Sequence, residues 1–176
     1  SALHSVFTSG ATWFLADDHE FWNNYPFHSG LNPFLQALRF ESVRNVWRQT
    51  ARDGVNNIQN VKPVRFINIG DDLFFCLADF RTKRTAKKLL QSDYFDDILD
   101  WVANLKAPGV LVVSQPVFDE VGDEDAKLPN YKQYKKLLKA IQHAKHDMLV
   151  LAGDLHMGRI ASFQFNAPGT KNKPGR

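Results

Sequence analysis

Cysteine is nearly absent: Cys76 is the single thiol among 176 residues, which excludes an internal disulfide framework and leaves the compartment open. Long apolar runs are missing too. None approaches the roughly 18 residues of a membrane span, and no basic-then-apolar leader opens the chain. The sequence therefore predicts a soluble chain with neither signal peptide nor transmembrane segment. Its start, Ser1-Ala2-Leu3-His4, has no initiator Met, as a truncated or processed form would. Neither charge sign dominates, since 22 Lys and Arg against 19 Asp and Glu leave a formal charge of +3. The basic residues are dispersed or gathered on one helix and a tail, which argues against a dedicated nucleic-acid surface. No internal repeat is present, and nothing in the sequence speaks to oligomeric state.

What is present is ordinary globular composition, 44% apolar and 23% charged, with an unusually aromatic core promised by 14 Phe and 4 Trp. The length suits one domain. Residues 1–166 are expected to form a single α/β domain and residues 167–176, rich in Gly, Pro and Lys, a flexible basic tail.

Apolar periodicity divides the chain into strands and helices. Residues 12–16 read as a buried strand. Asn32-Pro33 supplies a cap and a first-turn proline for a helix reaching about Thr50. Two β-type runs, 64–69 and 73–78, flank Gly70-Asp71-Asp72 and predict a hairpin. An amphipathic helix over 93–105 leads to an apolar strand over 110–115. A basic amphipathic helix over 131–146 leads to a third apolar strand at 148–152, and residues 160–165 alternate weakly as a last strand. Two consecutive helix–strand units predict crossover connections between neighbouring parallel strands. Three strand ends would then meet at one edge, bringing Asp17-Asp18-His19-Glu20, Ser114-Gln115 and Gly153-Asp154-Leu155-His156 into one cleft.

The first of these groups is the densest in chemistry. Between Asp17 and Asn23 stand five oxygen or nitrogen donors, and Asn24 adds another. Hard cations prefer such oxygens, and phosphoryl transfer uses a nearby imidazole, so the stretch reads as half of a metal-assisted hydrolytic site. Capping of a helix by Asp17 or Asp18 is the plainer explanation, yet a cap needs one polar side chain and six are present. Asp18 with Asn23 or Asn24 could bind a metal, and His19 could carry a proton. Asp154 and His156, two apart after an apolar strand, can point the same way in an extended chain.

Asp79-Phe80-Arg81-Thr82-Lys83-Arg84 also follows a strand. Arg81 and Arg84 could grip a phosphate bidentately or simply pair with neighbours, and Gln115 is a weaker candidate for the same substrate-binding role. Gly70-Asp71-Asp72 needs only a turn, and Cys76 reads as a core residue. The acidic loop after Phe118 does not match EF-hand spacing.

Taken in order, Trp13 through Asn24, the 79–84 run, Val112-Val113-Ser114-Gln115-Pro116 and Gly153-Asp154-Leu155-His156 resemble the motifs of PhoD-like phosphatases, within the calcineurin-like metallophosphoesterases. The resemblance spans roughly residues 12–160. It implies a layered α/β sandwich and two metal ions, with iron, calcium, manganese and zinc not distinguished. It implies Asp18, Asp154 and His156 on the metals, to which the residues themselves add Asn23, with His19 as the catalytic imidazole and a phosphate-ester substrate. The implied reaction is in-line attack of a metal-bound hydroxide on that ester. Motifs that precede Asp-Asp-His-Glu in the wider superfamily have no counterpart here: sixteen residues precede Asp17, none of them Asp, Glu or Cys. The chain thus resembles the C-terminal half of a catalytic domain. Two expectations follow: a phosphomonoesterase or phosphodiesterase carrying part of its site, or a degenerate metal-binding or interaction module that keeps the fold without turnover.

Overall fold

A computed structural model describes residues 2–27, 37–59, 62–118, 127–154, 158 and 160–165. The described elements are, in order, α1 (Ala2–Thr8), α2 (Glu41–Ile58), β1 (Val64–Ile69), β2 (Leu73–Ala78), α3 (Ser92–Ala103), β3 (Gly109–Val113), a 3-10 turn (Leu128–Asn130), α4 (Lys132–Gln142) and β4 (Met148–Ala152). The strands form one sheet in the order β1-β2-β3-β4. This is the mixed α/β architecture expected from the alternation of apolar runs.

The hairpin forms where the turn residues place it. β1 and β2 pair antiparallel with Ile69 opposite Leu73, and Gly70 takes the left-handed φ of 58° that the tight reversal needs. From β2 onward pairing is parallel, because α3 and α4 each carry the chain back along the sheet before the next strand. Both helices lie on one face. Phe95 and Ile98 of α3 and Tyr134, Leu137 and Ile141 of α4 join Cys76, Leu111 and Val113 in a single buried cluster. Gly109 opens β3 beneath the end of α3, where an added Cβ would lie 2.8 Å from Leu105 and 3.2 Å from Trp101. A side chain at this position would make the Leu105 and Trp101 side chains shift.

A second, smaller buried cluster contains Ala16, Phe21, Trp22, Tyr25, Leu38 and Val55. It joins the turn-rich N-terminal segment to α2.

Several expectations need correction. Residues 12–16 pair with no described strand of the sheet; Thr12, Trp13 and Phe14 are exposed and belong to no regular element. The edge position beside them is taken by β1, whose hairpin with β2 is local and therefore closes at smaller entropic cost. The first long helix starts at Glu41, after a 3-10 turn over 37–39, and runs past Thr50 to Ile58. Beside its interior Gly54, Val55 packs into the smaller cluster. Residues 160–165 are not a strand, and among the described residues the sheet ends at β4. β4 itself is less buried than its apolar sequence predicts: as an edge strand it leaves Leu149 and Leu151 exposed on the face away from the helices. The proposed helix cap at Asn32-Pro33, the acidic stretch 119–126, Leu155-His156 and the 167–176 tail lie outside the described residues.

Candidate metal and phosphoryl site

Parallel pairing sets the geometry of the site. The register aligns Ala78, Val113 and Ala152 across β2, β3 and β4, so the residues following each leave the sheet side by side. Asp79 follows β2, Ser114 and Gln115 follow β3, and Gly153 and Asp154 follow β4. Gly153 donates its N–H to the carbonyl of Val113 at 3.3 Å. A Cβ there would stand 3.2 Å from the Ser114 carbonyl oxygen, so a side chain would push the β4 exit away from β3. Asp154 then turns with φ 67°, a left-handed conformation that Asp tolerates better than most residues.

The fourth contribution arrives without a strand. Arg65 Nη2 donates to the Phe14 carbonyl at 3.2 Å, laying that segment beside β1. The chain then closes into turns. The Asp17 N–H donates to Glu20 Oε2 at 2.6 Å, and the Phe21 N–H to the Asp18 carbonyl at 2.8 Å. Asn24, at φ 61°, donates its N–H to Asp18 Oδ2 at 2.5 Å. Phe21 stacks on Tyr25 at 4.3 Å between ring centroids, with Trp22 edge-on to Tyr25 at 4.8 Å. Aromatic packing under the turns, not backbone ladder bonds, thus aims Asp17 and Asp18 at the sheet edge.

At the centre stands Arg81, 1% exposed. Its Nη2 donates to Asp154 Oδ2 at 3.0 Å and lies 3.8 Å from Asp18 Oδ1, while Nε lies 3.4 Å from Asp17 Oδ1. Nη1 donates to the Tyr25 carbonyl at 3.3 Å. One guanidinium therefore holds carboxylates from both the turn segment and the β4 exit. Asp17 Oδ1, Asp18 Oδ1 and Arg81 Nε are buried with no hydrogen-bond partner among the described residues. His19 stands on the rim, its Nδ1 3.4 Å from Asp18 Oδ1 and 3.6 Å from Asp17 Oδ2. One donor atom each from Asp17, Asp18 and His19 lie within 4.8 Å of one another, close enough to share a metal ion. Burial raises the Asp17 carboxyl above its ordinary range, and the charges of Asp18 and Asp154 add to the rise. The Asp18 backbone N–H and Arg81 only partly offset it.

The remaining residues singled out from the sequence hold the site's floor. Asp79 is a loop anchor: Oδ1 accepts the N–H groups of Arg81 at 2.9 Å and Thr82 at 2.8 Å, and Oδ2 accepts Gln59 Nε2 and Thr82 Oγ1, each at 2.5 Å. Arg84 donates to the Tyr131 hydroxyl and to Gln115 Oε1, both at 2.8 Å, and lies 4.5 Å over the Tyr131 ring. Burial lowers its pKa to about 10, against the opposing pull of Tyr131. Arg81, Arg84 and Gln115 are thus all buried and engaged with protein groups. Asn23 is exposed, and it is the backbone of Asn24 that reaches Asp18. His156 lies outside the described residues.

Sequence reasoning passed over three participants. Asp17 stands in the ligand-rich cluster but has no metal role of its own in the sequence reading, and Tyr25 and Tyr131, which supply a carbonyl and a hydroxyl to the two arginines, have none at all. No local signal marks either tyrosine, because both act across long sequence separations.

No family model and no curated protein matches the chain. Among solved structures, a structure of PhoD superposes on 80% of this chain with a TM-score of 0.61 at 16% identity. The chain thus has a PhoD-like fold, and it spans about a third of that structure, 33% of its length. No described helix is long and apolar enough to cross a membrane.

Proposed function

We propose that this chain carries part of the site of a metal-dependent phosphoric ester hydrolase, acting on a phosphomonoester or phosphodiester. The observation that carries this reading is the pair of buried carboxylate oxygens, Asp17 Oδ1 and Asp18 Oδ1, that accept no hydrogen bond and meet Arg81 only at 3.4 and 3.8 Å, within reach of His19. Buried acceptors without donors cost stability unless a cation completes them. The PhoD-like fold and the order of the motifs agree with it.

The carboxylates of Asp17 and Asp18 fit a divalent ion by donor type and spacing, with the His19 imidazole beside them. Such an ion, when bound, polarises a phosphoryl oxygen and acidifies water. The chain's own residues do the rest. The aromatic turn holds Asp17 and Asp18 rigidly through Phe21, Trp22 and Tyr25. Arg81 keeps Asp154 and both turn acids in one cluster. His19, half exposed with Nδ1 toward the acids, gives a proton to the leaving oxygen from Nε2. Arg84 and Gln115 brace the floor of the site.

The test is hydrolysis of p-nitrophenyl phosphate with added Mn²⁺, by this chain and by a longer protein that contains it. In whichever form is active, His19→Ala should lower kcat by about 10²-fold or more, as removal of a general acid does, and Asp18→Asn should abolish metal-dependent turnover. Activity indifferent to both substitutions would sink the reading. A second reading, a non-catalytic metal-binding module, is favoured by the internal neutralisation of the acids by Arg81. Its signature is bound metal without turnover in either form.

A further inference from the structure

We infer that Arg81 is a built-in counter-cation on the Asp154 side of the site, so that the described cluster takes one divalent ion, at the Asp17 and Asp18 carboxylates beside His19, and not two. The inference deepens the metal-dependent reading above and rests on it. Its first support is geometric. Asp154 Oδ2 is the nearest carboxylate oxygen to Arg81, at 3.0 Å from Nη2, and a cation seated on Asp154 would have to share that space with a buried positive group. The guanidinium cannot readily withdraw. Its residue is pinned by the Asp79 bond to its N–H, by Arg84 donating to its carbonyl at 3.0 Å, and by Nη1 on the Tyr25 carbonyl.

The second support is charge. Three carboxylates and one guanidinium leave a deficit that a single dication neutralises. A second dication would leave excess positive charge beside Arg81 and the buried Arg84. Close charges of like sign in a poorly solvated site are strongly disfavoured. The third is the distribution of unbonded atoms. Asp17 Oδ1 and Asp18 Oδ1 accept no hydrogen bond and meet Arg81 only in ion pairs of 3.4 and 3.8 Å, whereas Asp154 Oδ2 accepts a hydrogen bond from Arg81 at 3.0 Å. Arginine, with its fixed fork of donors, can reach carboxylates on two sides at once where lysine would meet one.

Two measurements test this separately. Isothermal titration of the whole chain with Mn²⁺ should give one ion per chain. Asp18→Asn should weaken binding by at least about 10-fold, in the range seen when groups around a metal are lost, while Asp154→Asn should keep the one-ion stoichiometry and weaken binding clearly less than Asp18→Asn does. Two ions per chain, or loss of Mn²⁺ in Asp154→Asn matching that in Asp18→Asn, would overturn the inference. In EDTA, where no metal contributes, melting temperatures of Arg81→Met, Asp154→Asn and the double variant should be non-additive, with the double variant melting above the sum of the two losses. Additive losses would overturn the counter-cation role. If Arg81→Met does not fold, Arg81→Gln completes the same cycle. A chain that binds no Mn²⁺ overturns both the one-ion count and the metal-dependent reading, whereas two ions, or Asp154 acting as a ligand, overturn only the inference.

Discussion

The two buried clusters are built by different rules. In the larger one, Phe95, Ile98 and Val102 recur along α3, and Tyr134, Leu137 and Ile141 along α4, at the spacing of a helix face. They meet a strand ladder whose register is set by backbone bonds. In the smaller one, Phe21, Trp22 and Tyr25 come together through consecutive turns, and Leu38 and Val55 close over them. The candidate site lies at the seam. Its acids Asp17 and Asp18 come from the turn-built cluster, and its cation Arg81 and fourth charge Asp154 from the exits of the ladder. The difference teaches where each kind of precision comes from. A parallel sheet places several chain exits side by side, while a short aromatic turn can hold two adjacent carboxylates toward the same point, which a strand, alternating its side chains, cannot.

This contrast can be broken from either side. Leu111 lies in the centre of the ladder core with no exposure, and Leu111→Ala should destabilise the chain by about 3 kcal/mol, as buried leucine truncations do. Urea unfolding followed by circular dichroism measures it. A cost no greater than that of a surface substitution would mean that the ladder cluster is not the main source of stability.

The seam itself is probed by Asp79→Asn. Asp79 follows β2 but accepts from Gln59 at the end of α2 as well as from Thr82 and Arg81. Replacing the carboxylate by an amide turns one acceptor into a donor facing donors. A loss of about 2 kcal/mol is expected from charge-assisted bonds of this kind. Because Arg81 is anchored there, a lower Mn²⁺ affinity should accompany the loss. Unchanged stability would show that the two clusters are held together by apolar contact alone.

The smallest effect sharpens the comparison within the ladder. Burial raises the Cys76 thiol above its ordinary value of 9.0. Folded and unfolded chains hold this proton equally below that value. As pH rises past it the unfolded chain releases the proton first, so stability should fall with pH. Cys76→Ala should make that fall shallower, and native Cys76 should resist a thiol reagent until urea unfolds the chain. Rapid labelling of the native protein would place the β2 core open to solvent.

Much of the ladder was legible in the residues. The Gly70-Asp71-Asp72 hairpin, both crossover helices and the strands at 109–113 and 148–152 follow from period and punctuation, signals local enough to survive any tertiary context. The sequence also marked Asp18, His19 and Asp154 as candidates, because polar groups after apolar runs are conspicuous. The opening strand was misread for a reason of the same kind: an apolar run specifies burial of something, but whether it pairs depends on which strand reaches the edge first. The exposed edge at β4 was hidden equally, since Leu149 and Leu151 look like core residues until their neighbours are known.

The roles of the arginines lay furthest from view. By itself the sequence determined the chemical inventory, the alternation of elements and the local turns, all of which depend on residues a few positions apart. Only the tertiary structure decided that Arg81 binds Asp17, Asp18 and Asp154 and that Arg84 binds Tyr131 and Gln115. A guanidinium pairs with whichever acceptors its burial brings within reach. Those acceptors come from elements far apart along the chain, joined by parallel register and by an aromatic turn.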